Sequence, residues 1–231
     1  MPFSLKQPAF YDFYHMEYPI KWERMIGNAK PVAVAFKATD WKVWVNGKLI
    51  REYIDPRVFQ YVHEVKEQGY PYLLYHFFKE DNIYEQAVHY MSTITALGGW
   101  NGQRPVLDFE IIPKMKNRGK EIAYQVKTWL DYVEKFSGKK PIIYSSQYYL
   151  SYLLDRGNPP SWLNDYPLWD AWYPYSWAVD RNNDIPRNRM PKGYLRWAIW
   201  QYNDKGRTNG YPANDLNVVA DWFLPEITET V

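Results

Sequence analysis

Arg104-Pro105-Val106-Leu107-Asp108-Phe109-Glu110-Ile111 sets two carboxylates inside an otherwise apolar run. The span Val106 to Ile112 is aliphatic and β-branched, is bounded by Pro105 and Pro113, and reads as a buried strand. Side chains alternate faces along a strand, so Asp108 and Glu110 point the same way, with Cα atoms roughly 6.6 Å apart. Two buried carboxylates side by side are costly unless their surroundings are arranged for them, and a like charge nearby raises one pKa. A carboxylic acid held protonated beside an ionised one is the equipment for cleaving glycosidic bonds. The triplet Asp-x-Glu arises about once by chance in a chain of this size, so its weight comes from the buried strand around it.

Outward from this stretch, strands and helices alternate. Ala9–Tyr14, Val32–Lys37 and Tyr72–Phe78 read as strands before it, the first ending near Asp12. Pro141–Ser145, Leu168–Tyr173 and Leu195–Tyr202 read as strands after it, with Asp215–Val219 as a short last one. Helices are expected from Asp55 to about Gln68, stopped by Gly69, from Ile83 to Ala96, stopped by Gly98-Gly99, and from Lys120 to Phe136. Strands separated by helices pair in parallel through crossovers. About eight of them in this order imply an α/β fold: a TIM-like (β/α) barrel with incomplete helical cover among the later strands. In such a barrel the chemistry belongs at the C-terminal strand ends. Asp12, Lys37, His76, Glu110, Tyr144, Tyr173 and Gln201 all fall at or near those ends. Within 41–51, Val43-Trp44-Val45-Asn46-Gly47-Lys48-Leu49-Ile50 is a hairpin signal, since Asn-Gly suits a type I′ turn. It follows the second strand, so it projects from the active face, as a rim decoration or as a cleft wall bearing Trp41 and Trp44.

The 231 residues suffice for one large core, and the chain reads as a single domain spanning 1–231. With 28 basic and 26 acidic residues there is no general nucleic-acid signature. Aromatic content is 19%, including 12 Trp and 22 Tyr; such rings pack cores and also suit sugar faces. Cysteine is absent, which excludes disulfides and thiolate metal sites. His15, His63 and His89 form no ligand spacing and His76 reads as a satisfied buried histidine, so neither metal nor cofactor is expected. Lys114, Lys116, Arg118 and Lys120 read either as a solvated loop or as an attraction for an anionic polymer. No apolar stretch reaches the length of a membrane span, and no secretory signal is visible at Met1-Pro-Phe-Ser-Leu-Lys-Gln-Pro.

Taken in order, these segments resemble glycoside hydrolase family 25, the muramidases often found as phage endolysins. Lys37-Ala38-Thr39 resembles that family's Lys-Ala-Thr strand end, and Tyr75-His76-Phe77 its Tyr-His-Phe strand. Asp108-Phe109-Glu110 stands where the family carries its catalytic Asp-x-Glu. Pro141–Ser145, Leu168–Tyr173 and Trp200-Gln201-Tyr202 resemble later strands, and Asn214-Asp215-Leu216-Asn217 the closing Val-Asp-x-Asn. Two places depart from the pattern: Asp12-Phe13-Tyr14-His15 lacks the family's Ser, and Asp40-Trp41 replaces Glu-Gly and leads into the hairpin.

The resemblance implies the eight-stranded barrel and four acidic site positions: Asp12, Asp108, Glu110 and Asp215. It implies Glu110 as general acid, Asp108 ionised and orienting the substrate's acetamido group or stabilising positive charge, and Asp12 and Asp215 supporting them. Lys37, Tyr75, Tyr144, Tyr173, Gln201 and Trp44 are the expected substrate-binding residues, while Trp169 and Trp200 are read as core. The implied activity is N-acetylmuramidase, cutting the β-1,4 bond between N-acetylmuramic acid and N-acetylglucosamine in peptidoglycan. Alternatives are a non-catalytic wall-binding or virion protein and another hexosaminidase. The expected partner is the bacterial glycan strand, with wall targeting either absent or supplied by a separate subunit. Accumulation in a host cytoplasm before release onto the bacterial cell wall fits the missing signal.

Overall fold

A computed structural model describes residues 9–14, 19–22, 31–115, 118–174, 184–208 and 211–228. His15 and Lys116 lie outside the described residues. The strands are β1 (Ala9–Phe13), β2 (Ala33–Asp40), β3 (Val43–Val45), β4 (Lys48–Ile50), β5 (Tyr53–Ile54), β6 (Tyr72–Phe77), β7 (Pro105–Asp108), β8 (Ile142–Ser145), β9 (Leu168–Ala171), β10 (Ile199–Thr208) and β11 (Tyr211–Val219). The helices are α1 (Val58–Glu67), α2 (Ile83–Ala96), α3 (Lys120–Ser137), α4 (Gln147–Leu150) and α5 (Pro225–Thr228).

The main sheet runs β1-β11-β10-β9-β8-β7-β6-β2, and β1 pairs with β2 to close it into an eight-stranded barrel; β5 hangs on the end of β2. All pairings within the barrel are parallel except those of β11, which runs against both β10 and β1. That reversal corrects the expectation of a short last strand joined by a parallel crossover: β10 and β11 form a long hairpin. The carboxylate strand is also shorter than expected, since β7 ends at Asp108. Backbone pairing nevertheless continues for one step, with Phe109 N–H donating to the Tyr144 carbonyl at 2.9 Å.

The helices follow from the spacing of their apolar residues. In α3, Ile122, Val126, Trp129, Leu130 and Val133 recur every three or four positions and are all buried against the barrel. Gly138 ends this helix with φ +71° and Gly69 follows α1 at φ +67°, a left-handed conformation that glycine adopts without strain. α1 begins at Val58 with Arg57 as its N-cap, later than expected, and Asp55 accepts the Arg57 N–H at 2.9 Å ahead of it without capping the helix itself. Between β8 and β9 stand only the four-residue α4 and short 3-10 turns, which is the expected gap in helical cover.

Alternation along each strand divides the barrel interior into layers. Phe10, Ala35, Leu73, Val106, Ile142, Trp169, Ile199 and Val219 form one apolar cluster inside the barrel. Trp169 fills its centre, edge-on to Phe10 and to Tyr144, each with ring centroids 5.0 Å away. Trp200 is likewise buried, facing the outer layer. Two residues beyond the apolar layer, the same strands carry Asp12, Lys37, Tyr75, Asp108, Tyr144 and Gln201, with Asn217 two residues before Val219 on the reversed strand. A strand period of two therefore places a polar layer directly on an apolar floor.

His76 points the other way, into the layer between barrel and helices. The Thr39 hydroxyl meets its Nδ1 at 2.8 Å, its Nε2 meets Gln86 Oε1 at 3.1 Å, and Trp129 stacks on the ring at 5.6 Å. Burial pushes its pKa down to about 3, so it is neutral and structural. Gln86 also accepts the Lys79 N–H at 2.9 Å and donates to the Lys79 carbonyl at 2.8 Å, fixing the turn into α2. Gln86→Ala leaves these buried groups unpaired, so urea denaturation is expected to show a loss of about 2–4 kcal/mol. An unchanged midpoint would show that the Gln86 bonds contribute nothing net.

Candidate active site

Closure of the barrel determines the site. The β1–β11 register sets Asp12 opposite Asp215, although the two are far apart in sequence. Because β11 is reversed, Asp215 enters this rim from the middle of its strand and not from a C-terminal end. Asp12 Oδ2 accepts from Asn217 Nδ2 at 2.7 Å and from Gln201 Nε2 at 3.1 Å. The same Gln201 nitrogen reaches Asp215 Oδ2 at 3.2 Å. On its other side Gln201 Oε1 accepts from the Tyr144 hydroxyl at 2.8 Å and from the Tyr173 hydroxyl. The amide is thus oriented by its partners, nitrogen toward two carboxylates and oxygen toward two phenols. Asn217 is fixed in turn, its Oδ1 taking the Trp169 Nε1–H at 2.7 Å, so the polar layer is bonded to the apolar floor.

Asp108 and Glu110 lie across this layer. Asp108 is 6% exposed and its Oδ1 has no hydrogen-bond partner. Burial first, then the Glu110 charge, hold its carboxyl well above the usual range, against the pull of Lys37. Glu110 is less enclosed, and burial followed by the Asp12 charge pushes its pKa up to about 7, again opposed by Lys37. Asp12 is itself raised by burial and restrained by its bonds to Asn217 and Gln201. Burial, joined at Asp108 and Glu110 by repulsion from neighbouring carboxylates, thus holds all three carboxyls toward their protonated forms. Asp108, enclosed and without a partner at Oδ1, is held toward the neutral form in the free protein, so its surroundings do not favour the ionised state expected from sequence. Glu110 is the partly open member, from which a proton can reach a ligand.

The remaining expected residues divide. Lys37 donates to Asp40 Oδ2 at 2.9 Å and lies 4.8 Å over the Phe77 ring, beside the carboxyl cluster whose pKa it lowers. Tyr144 and Tyr173 stand on the cluster through Gln201. The Tyr75 hydroxyl donates to the Phe13 carbonyl at 3.4 Å, across to β1. The hairpin forms as the Asn-Gly pair demands, with Val43 opposite Ile50, Asn46 at φ +49° and Gly47 at φ +75°. Its two tryptophans do not act together: Trp44 is 71% exposed, whereas Trp41 is 3% exposed and packs against the His89 ring. Trp41 is therefore core and not cleft wall. Asn217 and Asp40 were not singled out as site residues. Asn217 could have been, because it lies two residues from Asp215 and so shares its strand face.

The arrangement is a proton-holding carboxyl pair set in a ring of phenols, an amide and one cation. It can protonate a leaving oxygen and hold a polar ligand. Among the described residues no group of three His, Asp or Glu side chains is placed to hold a metal.

Comparison with known proteins agrees with this fold. The sequence pattern of the glycosyl hydrolases family 25 matches residues 11–211. The uncharacterised protein YegX of Escherichia coli strain K12 is 27% identical over 222 residues, which cover 90% of this chain and 69% of YegX. The Clostridium perfringens spore cortex lytic enzyme SleM superposes with a TM-score of 0.73 at 23% identity, over 93% of this chain and 67% of that one. A bacterial lysozyme from Streptomyces coelicolor superposes with a TM-score of 0.71 at 19% identity, over 98% of this chain and 100% of that one. At such identities the two structures speak for the fold. With the family match running from β1 into β11, the chain belongs to the glycosyl hydrolases family 25 and is a glycoside hydrolase.

Proposed function

We propose that this protein is an N-acetylmuramidase that hydrolyses the β-1,4 bond between N-acetylmuramic acid and N-acetylglucosamine in bacterial peptidoglycan. The observation that carries the reading is Glu110, partly open to the cleft and pushed up to about 7 beside the buried Asp108. Family membership supports a peptidoglycan substrate. Glu110 donates its proton to the glycosidic oxygen as the C–O bond breaks, water supplies the hydroxyl that ends at the anomeric carbon, and the remaining water proton returns to the carboxylate. Asp108 points into the same layer and, held toward its neutral form in the free protein, orients the acetamido group by hydrogen bonding; balancing positive charge on the ring would require it to lose that proton as substrate binds. Asp12 and Asp215 maintain the negative potential and hydrogen-bond pattern around Glu110. Lys37, Tyr75, Tyr144, Tyr173 and Gln201 bind the sugar, and Trp44 stacks on a ring distant from the cut bond.

Glu110→Gln is nearly isosteric and removes a carboxyl that burial disfavours when charged, so the fold is expected to persist. Wall cleavage should fall by a factor on the order of 10² or more, the usual loss when general-acid catalysis is removed. Reducing-end analysis of fragments from the parent should find N-acetylmuramic acid at the new ends. Near-normal turnover by the variant would remove Glu110 from the role, and N-acetylglucosamine at the new ends would overturn the choice of bond. Trp44→Ala tests the hairpin separately. Stacking remote from the reacting atoms is uniform binding, so KM on long glycans should rise with kcat little changed. Identical KM values would dismiss the hairpin as a cleft wall.

A further inference from the structure

The rim next to Glu110 carries an aromatic and cationic surface that bond cleavage does not use. Asp108 pairs with Tyr144 across β7 and β8, so the segment following β8 stands beside the carboxyl pair. That segment is α4, and the charge of Glu110 is felt by its Tyr149. Tyr148 is 56% exposed, and its ring meets Tyr149 at 5.2 Å and Tyr152 at 5.4 Å, both edge-on. The Tyr152 hydroxyl donates to that of Tyr148 at 2.7 Å. The Arg118 guanidinium lies 4.8 Å from the centre of the Tyr152 ring, and the Gly119 N–H donates to the Tyr152 carbonyl at 2.8 Å. The cation is therefore held on the tyrosines by ring and backbone together.

Arg118 is exposed and makes no ion pair with any described residue, whereas Lys120 nearby is paired with Asp155 at 3.3 Å. A guanidinium laid flat on an aromatic ring keeps its N–H edge available for a carboxylate. The adjoining tyrosine faces suit amide planes and short aliphatic side chains. Sugar rings can stack on such tyrosine faces, but their hydroxyls and acetamido groups carry no charge to pair with the guanidinium, which calls for a carboxylate.

We propose that Arg118, Tyr148 and Tyr152 form a subsite for the carboxylate-bearing peptide branch of the glycan, so that the enzyme reads the peptide as well as the sugar beside the cut bond. This rests on the muramidase reading and gives it a specificity determinant. A carboxylate near this position has two sources, the peptide branch or the lactyl group left bare when the peptide is removed. Steady-state kinetics on peptide-bearing glycan and on the same glycan stripped by an amidase separate them. Arg118→Gln and Tyr148→Ala are expected to lower kcat/KM on the peptide-bearing glycan by roughly tenfold or more, as for loss of a charge-assisted hydrogen bond, and to leave the stripped glycan unaffected. Arg118→Lys should recover part of the loss. Equal losses on both substrates, or none on either, would overturn the inference. Should the parent cleave neither glycan, the muramidase reading falls by itself. The subsite is then tested by titrating the protein with free branch peptide: shifts in the Tyr148 and Tyr152 ring resonances uphold it, and their absence overturns it.

Discussion

The antiparallel pairing of β11 with β1 is the constraint on which the rest of this molecule depends. It closes the barrel and sets Asp12 opposite Asp215. It also delivers Asn217 to Asp12 and to Trp169, joining the polar layer to the apolar plug beneath it. A one-residue slip in this register would turn Asn217 and Val219 out of the barrel together, exposing an apolar face and unpairing a buried carboxylate. Packing and site geometry are thus specified by the same alternation of side chains.

The electrostatic consequence follows from enclosure. Asp12, Asp108 and Glu110 share a low-polarity interior in which the Lys37 ammonium opposes the rise in pKa of Asp108 and Glu110, while its own bond goes to Asp40. Full ionisation would leave uncompensated negative charge among Tyr144, Gln201 and apolar rings, so the cluster keeps protons that exposed carboxyls would lose. Gln201 limits the cost by presenting its nitrogen to Asp12 and Asp215 while the phenols occupy its oxygen. Such an assembly has its fixed dipoles in place before substrate arrives.

Much of this was legible in the sequence, for identifiable reasons. The helix over Ile83–Ala96 was bounded by apolar periodicity and by a glycine pair, and the structure places it there. Asp108 and Glu110 were found because carboxylates in an aliphatic strand are rare enough to stand out. The long β10–β11 hairpin was missed, although Asn209-Gly210 carries the turn signal that marked Asn46-Gly47, and residues 208 and 211 pair beside it. Polar residues beyond Tyr202 hid its length, because no apolar alternation continues through them in the sequence. The place of Trp41 stayed open between rim and cleft wall, because spacing cannot tell a tryptophan packed against α2 from one projecting beside it. Gln201 was named as a sugar ligand, yet its role as the bond between four side chains required the barrel's curvature, which no local pattern contains.

Barrel closure, by bringing Asp12 to Glu110 in a buried layer, holds the Glu110 proton up to near neutral pH. Side-chain carbonyl NMR of Glu110 across a pH titration tests this directly, in the free protein and without recourse to activity. A midpoint near 7 is expected in the parent and a lower one in Asp12→Asn, where the negative neighbour is gone but burial remains. A midpoint in the ordinary glutamate range, or one that does not move when Asp12 is neutralised, would contradict it.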